Sequence, residues 1–145
     1  MSTTKIGFIP CGVHVKMIDT FGRPLIDRQM IEQAVNSLKD VGLEVCRYDE
    51  IVRTRKDAAT AVSNVEKENV DCIILYVASW LWASELVGAA SLSSKPILIW
   101  TTPISQGWGT GGALVLHGAF DEIGLKHKFV YGFPDDLETL KKIRG

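Results

Sequence analysis

The chain lacks an excess of charge of either sign. Its 145 residues carry 16 Lys and Arg against 17 Asp and Glu, a formal net charge of -1. Nucleic-acid binders usually show a basic stripe, and none is present here. The nearest approach, Lys141, Lys142 and Arg144, reads as a solvated helix end, where cations are favoured. Long apolar runs are also missing. None approaches the ~18–20 residues of a membrane span, and the opening Met-Ser-Thr-Thr-Lys lacks the apolar region of a signal peptide. Cysteine is sparse and odd in number: Cys11, Cys46 and Cys72, without Cys-x-x-Cys spacing. That pattern argues for reduced, mostly buried thiols and for the cytoplasm.

Familiar chemical signatures are absent as well. No Gly-x-Gly-x-x-Gly and no Gly-Lys-Ser/Thr occurs, so dinucleotide and P-loop readings fail. Six residues after Cys11 stands Met17, not the arginine of a phosphatase loop. Pro10–Val13 and Val77–Ser79 supply none of the acidic residues of a phospho-acceptor site. No Ser/Thr-rich loop for a flavin phosphate follows the first apolar run. His14, His117 and His127 fall in three different elements without metal-ligand spacing, and His117 reads as a packed histidine on an apolar helix.

What remains is an ordinary globular composition, 46% apolar and 23% charged, on a length that suits one domain. Apolar runs alternate with helical periodicity five times. Strands are expected over Lys5–Pro10, Leu43–Tyr48, Asp71–Val77, Lys95–Trp100 and Lys128–Tyr131, each short and rich in apolar residues. Helices are expected over Arg28–Val41, from a Thr54 cap to about Glu68, over Ser84–Leu92, over Gly112–Ile123, and after a cap formed by Asp135 with Glu138. The Gly112–Ile123 segment is apolar nearly all round, as in a helix deeply buried or covered by another subunit or domain. Five strand–helix units with right-handed crossovers imply a three-layer α/β, doubly wound parallel sheet, with flavodoxin-like order 2-1-3-4-5. The last helix ends abruptly at Lys-Lys-Ile-Arg-Gly, which fits a single domain cut from a longer chain.

Ligands of open parallel sheets bind beyond the carboxyl ends of the strands, here in three loops. The loop Cys11–Asp27 is about three times the usual two to six residues and holds His14, Lys16, Asp19, Arg23 and Asp27, with Arg28 opening the helix. Its length marks it for function or an interface. After the third strand, Trp80 and Trp82 offer flat faces for a sugar or a partner, or else pack in the core. Glu85 reads as a first-turn carboxylate of the next helix. After the fourth strand, Gln106 and Trp108 are the side chains most able to hydrogen-bond or stack on a polyol. The glycines Gly107, Gly109, Gly111 and Gly112 either admit an anion to a helix start or merely loosen it.

Taken as a set, several segments are similar to the N-terminal domain of the L-fucose/L-arabinose isomerase family, nearest its L-fucose isomerase branch. They are Lys5-Ile6-Gly7-Phe8-Ile9-Pro10, the Trp80-x-Trp82-Ala83-Ser84-Glu85 turn, Lys95-Pro96-Ile97-Leu98-Ile99-Trp100, Gly111-Gly112-Ala113 and Phe129-Val130-Tyr131-Gly132-Phe133-Pro134-Asp135-Asp136. The resemblance implies a cytoplasmic, oligomeric enzyme that interconverts aldoses and ketoses, with Mn2+ expected in the full-length enzyme and its Glu, Asp and His ligands in later domains. No catalytic or metal-binding residue is matched here. It also implies that this domain takes part in substrate recognition and oligomer contacts, lending residues to the site of a neighbouring subunit. Trp80 matches the tryptophan so used, and Arg23 and Arg28 compete for a loop arginine. The alternative is a free-standing small-molecule or partner-binding module of the same fold without catalysis.

Overall fold

The computed structural model describes residues 3–13, 15–18, 20–103 and 109–144. Its elements alternate as expected: β1 (Lys5–Cys11), α1 (Arg28–Asp40), β2 (Glu44–Arg47), α2 (Arg55–Glu66), β3 (Cys72–Val77), α3 (Ala83–Leu92), β4 (Ile97–Thr101), α4 (Gly109–Glu122), β5 (His127–Tyr131) and α5 (Leu137–Arg144). All strand pairs are parallel, in the order β2-β1-β3-β4-β5. The flavodoxin-like doubly wound α/β reading of the sequence therefore holds.

Successive strand side chains point to opposite faces, and the central strands bury both. Ile73, Leu75, Val77, Ile97 and Ile99 face α2, α3 and α4, where they meet Ala58, Val62, Leu86, Ala113 and Phe120. Ile74, Tyr76, Leu98 and Trp100 face α1 and α5, against Ile31, Val35, Leu38, Leu140 and Ile143. This explains why β3 and β4 read as unbroken apolar runs rather than alternating ones. Gly7 lets α2 come close: a Cβ there would sit 2.9 Å from Val65 Cβ.

The helix ends follow local chemistry. Asp27 Oδ1 accepts a hydrogen bond from Met30 N–H at 3.1 Å, and Thr54 Oγ1 accepts one from Asp57 N–H at 3.2 Å, as N-caps do. Gly42, at φ 91°, ends the first helical segment in the left-handed region. At α5 the capping carboxylate is Asp136, not Asp135. Asp136 accepts from Glu138 N–H and from the Thr139 hydroxyl.

Two expectations are refined in α4. It begins at Gly109, three residues before the expected start, in a glycine-rich stretch whose propensity disfavours helix. Packing explains the difference: a Cβ on Gly112 would lie 2.9 Å from Leu81 N and 3.0 Å from Ser79 O, so only glycine lets α4 rest directly on the loop after β3. The helix is also not enclosed all round. It buries Gly112, Ala113, Leu116 and Phe120 while Leu114, Val115 and Ile123 are exposed. All three cysteines are free thiols. Cys11 is fully buried, and burial pushes its thiol pKa far above the ordinary range.

The Gly112 contact yields a direct test. Gly112→Ala is expected to destabilise the domain by about 1–3 kcal/mol through overpacking, despite alanine's better helix propensity. Gly118→Ala, where a Cβ meets open space, should instead stabilise by up to about 1 kcal/mol. Urea unfolding of the two variants measures both signs.

Candidate functional site

The chain leaves β1 and returns through β3, so α1 and α2 cover opposite faces and a crevice opens between their strands' carboxyl ends. The long loop after β1 folds back over this crevice. Ile18 and Pro24 form an antiparallel bridge, and Leu25 N–H donates to Met17 O at 2.9 Å. Gly22, at φ 78°, makes the turn between them. The result is a small flap whose tip carries Phe21, 80% exposed, with the Arg23 guanidinium 5.2 Å from its ring centroid, within cation–π range.

Beneath the flap lies a solvent-open cleft of about 660 Å³. Its floor is Tyr76, Ala78 and Thr102, at the ends of β3 and β4. Lys16, Arg23, Asp27 and Arg28 bring charge to its walls, and Ile26 and Met30 are among its apolar residues. Among the described residues, three cations and one carboxylate line the cleft. Arg28 opens α1, where the helix dipole disfavours a cation. A locally unfavourable charge facing a cleft is the kind of conflict that functional sites retain.

The floor is polar in a controlled way. Tyr76 is 1% exposed, and its hydroxyl lies 3.4 Å from Thr102 Oγ1. Burial raises the phenol pKa from its ordinary 10 to about 12, with the Thr102 hydrogen bond lowering it and the Asp27 charge adding a further rise. Tyr76 is therefore a neutral hydroxyl at physiological pH. It can donate or accept a hydrogen bond, and it cannot supply a phenolate base.

The residues singled out in the sequence divide between two places. Arg23 and Arg28 both line the cleft. Trp80 and Trp82 do not line it. Their rings meet edge-to-face at 5.7 Å on the far side of β3, above α4. Trp80 is half-buried beside Gly111, whose Cβ would lie 3.3 Å from its ring. Trp82 is 60% exposed. Gln106 and Trp108, like His14 and Asp19, lie outside the described residues. Glu85 sits in the first turn of α3 and accepts from Arg55 N–H at 2.5 Å. It ties two helix starts together, which is a structural role.

Tyr76 and Thr102 carry little sequence signal as ligand groups. Tyr76 is one residue in an apolar strand, and only its hydroxyl, which must find a partner when buried, hints at a polar floor. Among the described residues lining the cleft, Asp27 is the only carboxylate, and one of its oxygens caps α1. Manganese favours several oxygen ligands, so the donors here do not fit that ion.

No protein-family model matches the chain, and no significant match to it is found among curated proteins.

The buried phenol makes stability depend on alkaline pH. Its folded pKa is raised, so the unfolded chain releases this proton first, near pH 10. The contribution is complete below pH 10 and is lost as pH climbs through about 12. Two units correspond to roughly 2–3 kcal/mol. Tyr76→Phe should flatten that part of the decline, measured as the difference between the two proteins' unfolding free energies from pH 9 to 12. An unchanged slope would remove the assigned role of burial.

Proposed function

We propose that this chain is the substrate-recognition and subunit-contact domain of an aldose–ketose isomerase of the L-fucose isomerase kind, and that its cleft takes a sugar. The observation that carries this reading is the cleft's chemistry at the switch point between β1 and β3. Its volume, about 660 Å³, lies within the usual range of small-molecule pockets. A sugar presents hydroxyls that both donate and accept, separated by apolar C–H faces. The cleft answers with guanidinium forks on Arg23 and Arg28, the Lys16 ammonium, the acceptor Asp27, the Tyr76 and Thr102 hydroxyls, and apolar Ile26, Met30 and Ala78.

On this reading the domain binds and orients, while proton transfer between sugar carbons belongs elsewhere. Such transfer needs carboxylates or similar groups of suitable pKa, and a metal that polarises the oxygens. Neither a second free carboxylate nor a manganese donor set lines this cleft among the described residues. Manganese would therefore be held by later domains. Trp80 and Trp82, outside the cleft and partly exposed, suit contact with a neighbouring subunit, as the resemblance implies for the tryptophan after β3. The exposed Leu114 and Val115 of α4, with Ile123 just past its end, add apolar surface to the same side of the sheet.

The alternative is a free-standing small-molecule or partner-binding module of the same fold without catalysis, which would use the same cleft. Two measurements separate the readings. Titration of the 145-residue chain with pentoses and 6-deoxyhexoses, followed by amide NMR, should shift residues around Tyr76 and Thr102. Arg28→Ala should weaken that binding about 10-fold or more, the worth of a charged hydrogen bond, while Trp80→Ala leaves it unchanged. In a longer product of the same gene supplied with Mn2+, Trp80→Ala should lower isomerase activity. Absence of shifts at tens of millimolar sugar would sink the cleft assignment. Sugar binding without isomerase activity in any product of the gene would favour the module.

A further inference from the structure

The fold brings together two histidines that lie ten residues apart in sequence. His117 projects from α4 and His127 opens β5, at the amino end of the sheet, opposite the cleft. Their Nδ1 and Nε2 atoms approach to 2.6 Å. Asp121, one helical turn beyond His117, places Oδ2 3.6 Å from His117 Nε2. His127 Nδ1 lies 2.9 Å from Leu125 O.

A backbone carbonyl only accepts, so His127 Nδ1 carries a proton toward Leu125 O and its Nε2 presents a lone pair inward. His117 Nδ1 faces that lone pair at 2.6 Å, and the two rings can be joined either by a proton on His117 Nδ1 or by a metal ion that takes both inward lone pairs. Asp121 Oδ2, 3.6 Å from the outward Nε2 of His117, favours the tautomer that frees Nδ1 for a metal.

We propose that His117 Nδ1 and His127 Nε2 bind a nitrogen-preferring divalent transition metal such as zinc, with Asp121 positioning His117 from its outward nitrogen. Candidate ligand atoms of the three residues all lie within 4.8 Å of one another. A tetrahedral ion with Zn–N of about 2.0–2.1 Å holds its ligand nitrogens about 3.3 Å apart, so the rings need part by only roughly 0.7 Å from their present 2.6 Å. His127 Nδ1 is already held by a carbonyl and His117 Nε2 faces a carboxylate at 3.6 Å, the kind of outer partners that orient metal-bound histidine. The rings themselves are steadied by Phe129, 5.0 Å from His117, and Phe120, 5.2 Å from His127. Imidazole donors select zinc, nickel or copper over manganese or magnesium. The ion would clamp α4 to the edge strand β5, far from the sugar cleft, so this site stands or falls independently of the proposed function.

The test uses Zn2+ and Co2+ with the full chain. Calorimetry should show one Zn2+ per chain at micromolar affinity. His117→Gln and His127→Gln should each weaken it at least 10-fold, and Asp121→Asn less. Because a variant can fold poorly, Co2+ is also added to the wild type, where amide NMR should show paramagnetic effects centred on residues 117, 121 and 127. Effects centred on Cys46 or Cys72, affinity unchanged in both histidine variants, or no binding tighter than millimolar would overturn the site and leave a hydrogen bond as the link between the two rings.

Discussion

The pairing of β1 with β3 is the constraint on which the rest of the molecule depends. Six register pairs, from Ile6 with Cys72 to Cys11 with Val77, join segments separated by a whole α–β–α passage. Lys5 N–H donates to Asp71 Oδ2 at 2.7 Å at the start. Beyond the strand ends, Ala78 N–H donates to Cys11 O and Val13 N–H to Trp80 O, both at 2.9 Å. This long parallel pairing has one topological consequence. With β2 on one side of β1 and β3 on the other, right-handed crossovers must place α1 and α2 on opposite faces. The crevice is thus a by-product of strand order, and the charged flap is what the sequence adds to it.

Most of the architecture was legible because periodicity is a local signal. Apolar runs of strand length and the helical stripe of Ile31, Ala34, Val35 and Leu38 follow from burial alone. The misreadings arose where tertiary contact overrode local preference. Gly109 to Gly112 reads as a loop by propensity, yet forms helix because the missing side chains allow contact with residues 79–81. Asp135 and Asp136 are equivalent one-dimensional caps, and only the turn after Phe133 decides that Asp136 reaches Glu138 and Thr139.

The candidate site was legible in part for the same reason. Length marked the flap, and its arginines reach the cleft. The separation of Trp80 and Trp82 from those arginines was not legible, because it depends on which face each residue takes past the end of β3. Tyr76 and Ala78 stay on the α1 face, whereas Leu81 turns to the other and carries the tryptophan segment with it. The histidine pair escaped for a different reason. His117 and His127 are joined by the turn at Gly124, φ 73°, whose reversal sets a helix residue beside a strand residue at no fixed ligand spacing.

The two ends of the sheet therefore use polar groups under opposite physical rules. At the carboxyl end, cations face a solvent-open cleft over a neutral, buried Tyr76, and a polyol could be bound there without any group changing its charge. At the amino end, two imidazoles meet through their inward nitrogens at 2.6 Å, with a carbonyl and a carboxylate beside the outward ones. On the proposed function the first arrangement recognises a neutral, hydroxyl-rich ligand by hydrogen bonds; on the proposed metal site the second responds to the supply of a positive ion. Both rest on the same rigid sheet, whose central strands are buried on each face. A change at the α4–β5 end has two described routes to the cleft: β4, which pairs with β5 and ends at Thr101, next to Thr102 on the cleft floor, and α4 itself, whose Thr110 Oγ1 donates to Thr102 O at 3.5 Å. Since β4 is buried along its full length, close-packed interiors resist displacement and Thr110 lies about two helical turns from His117, the two sites should act separately, with the ion stabilising the edge and the cleft keeping its affinity.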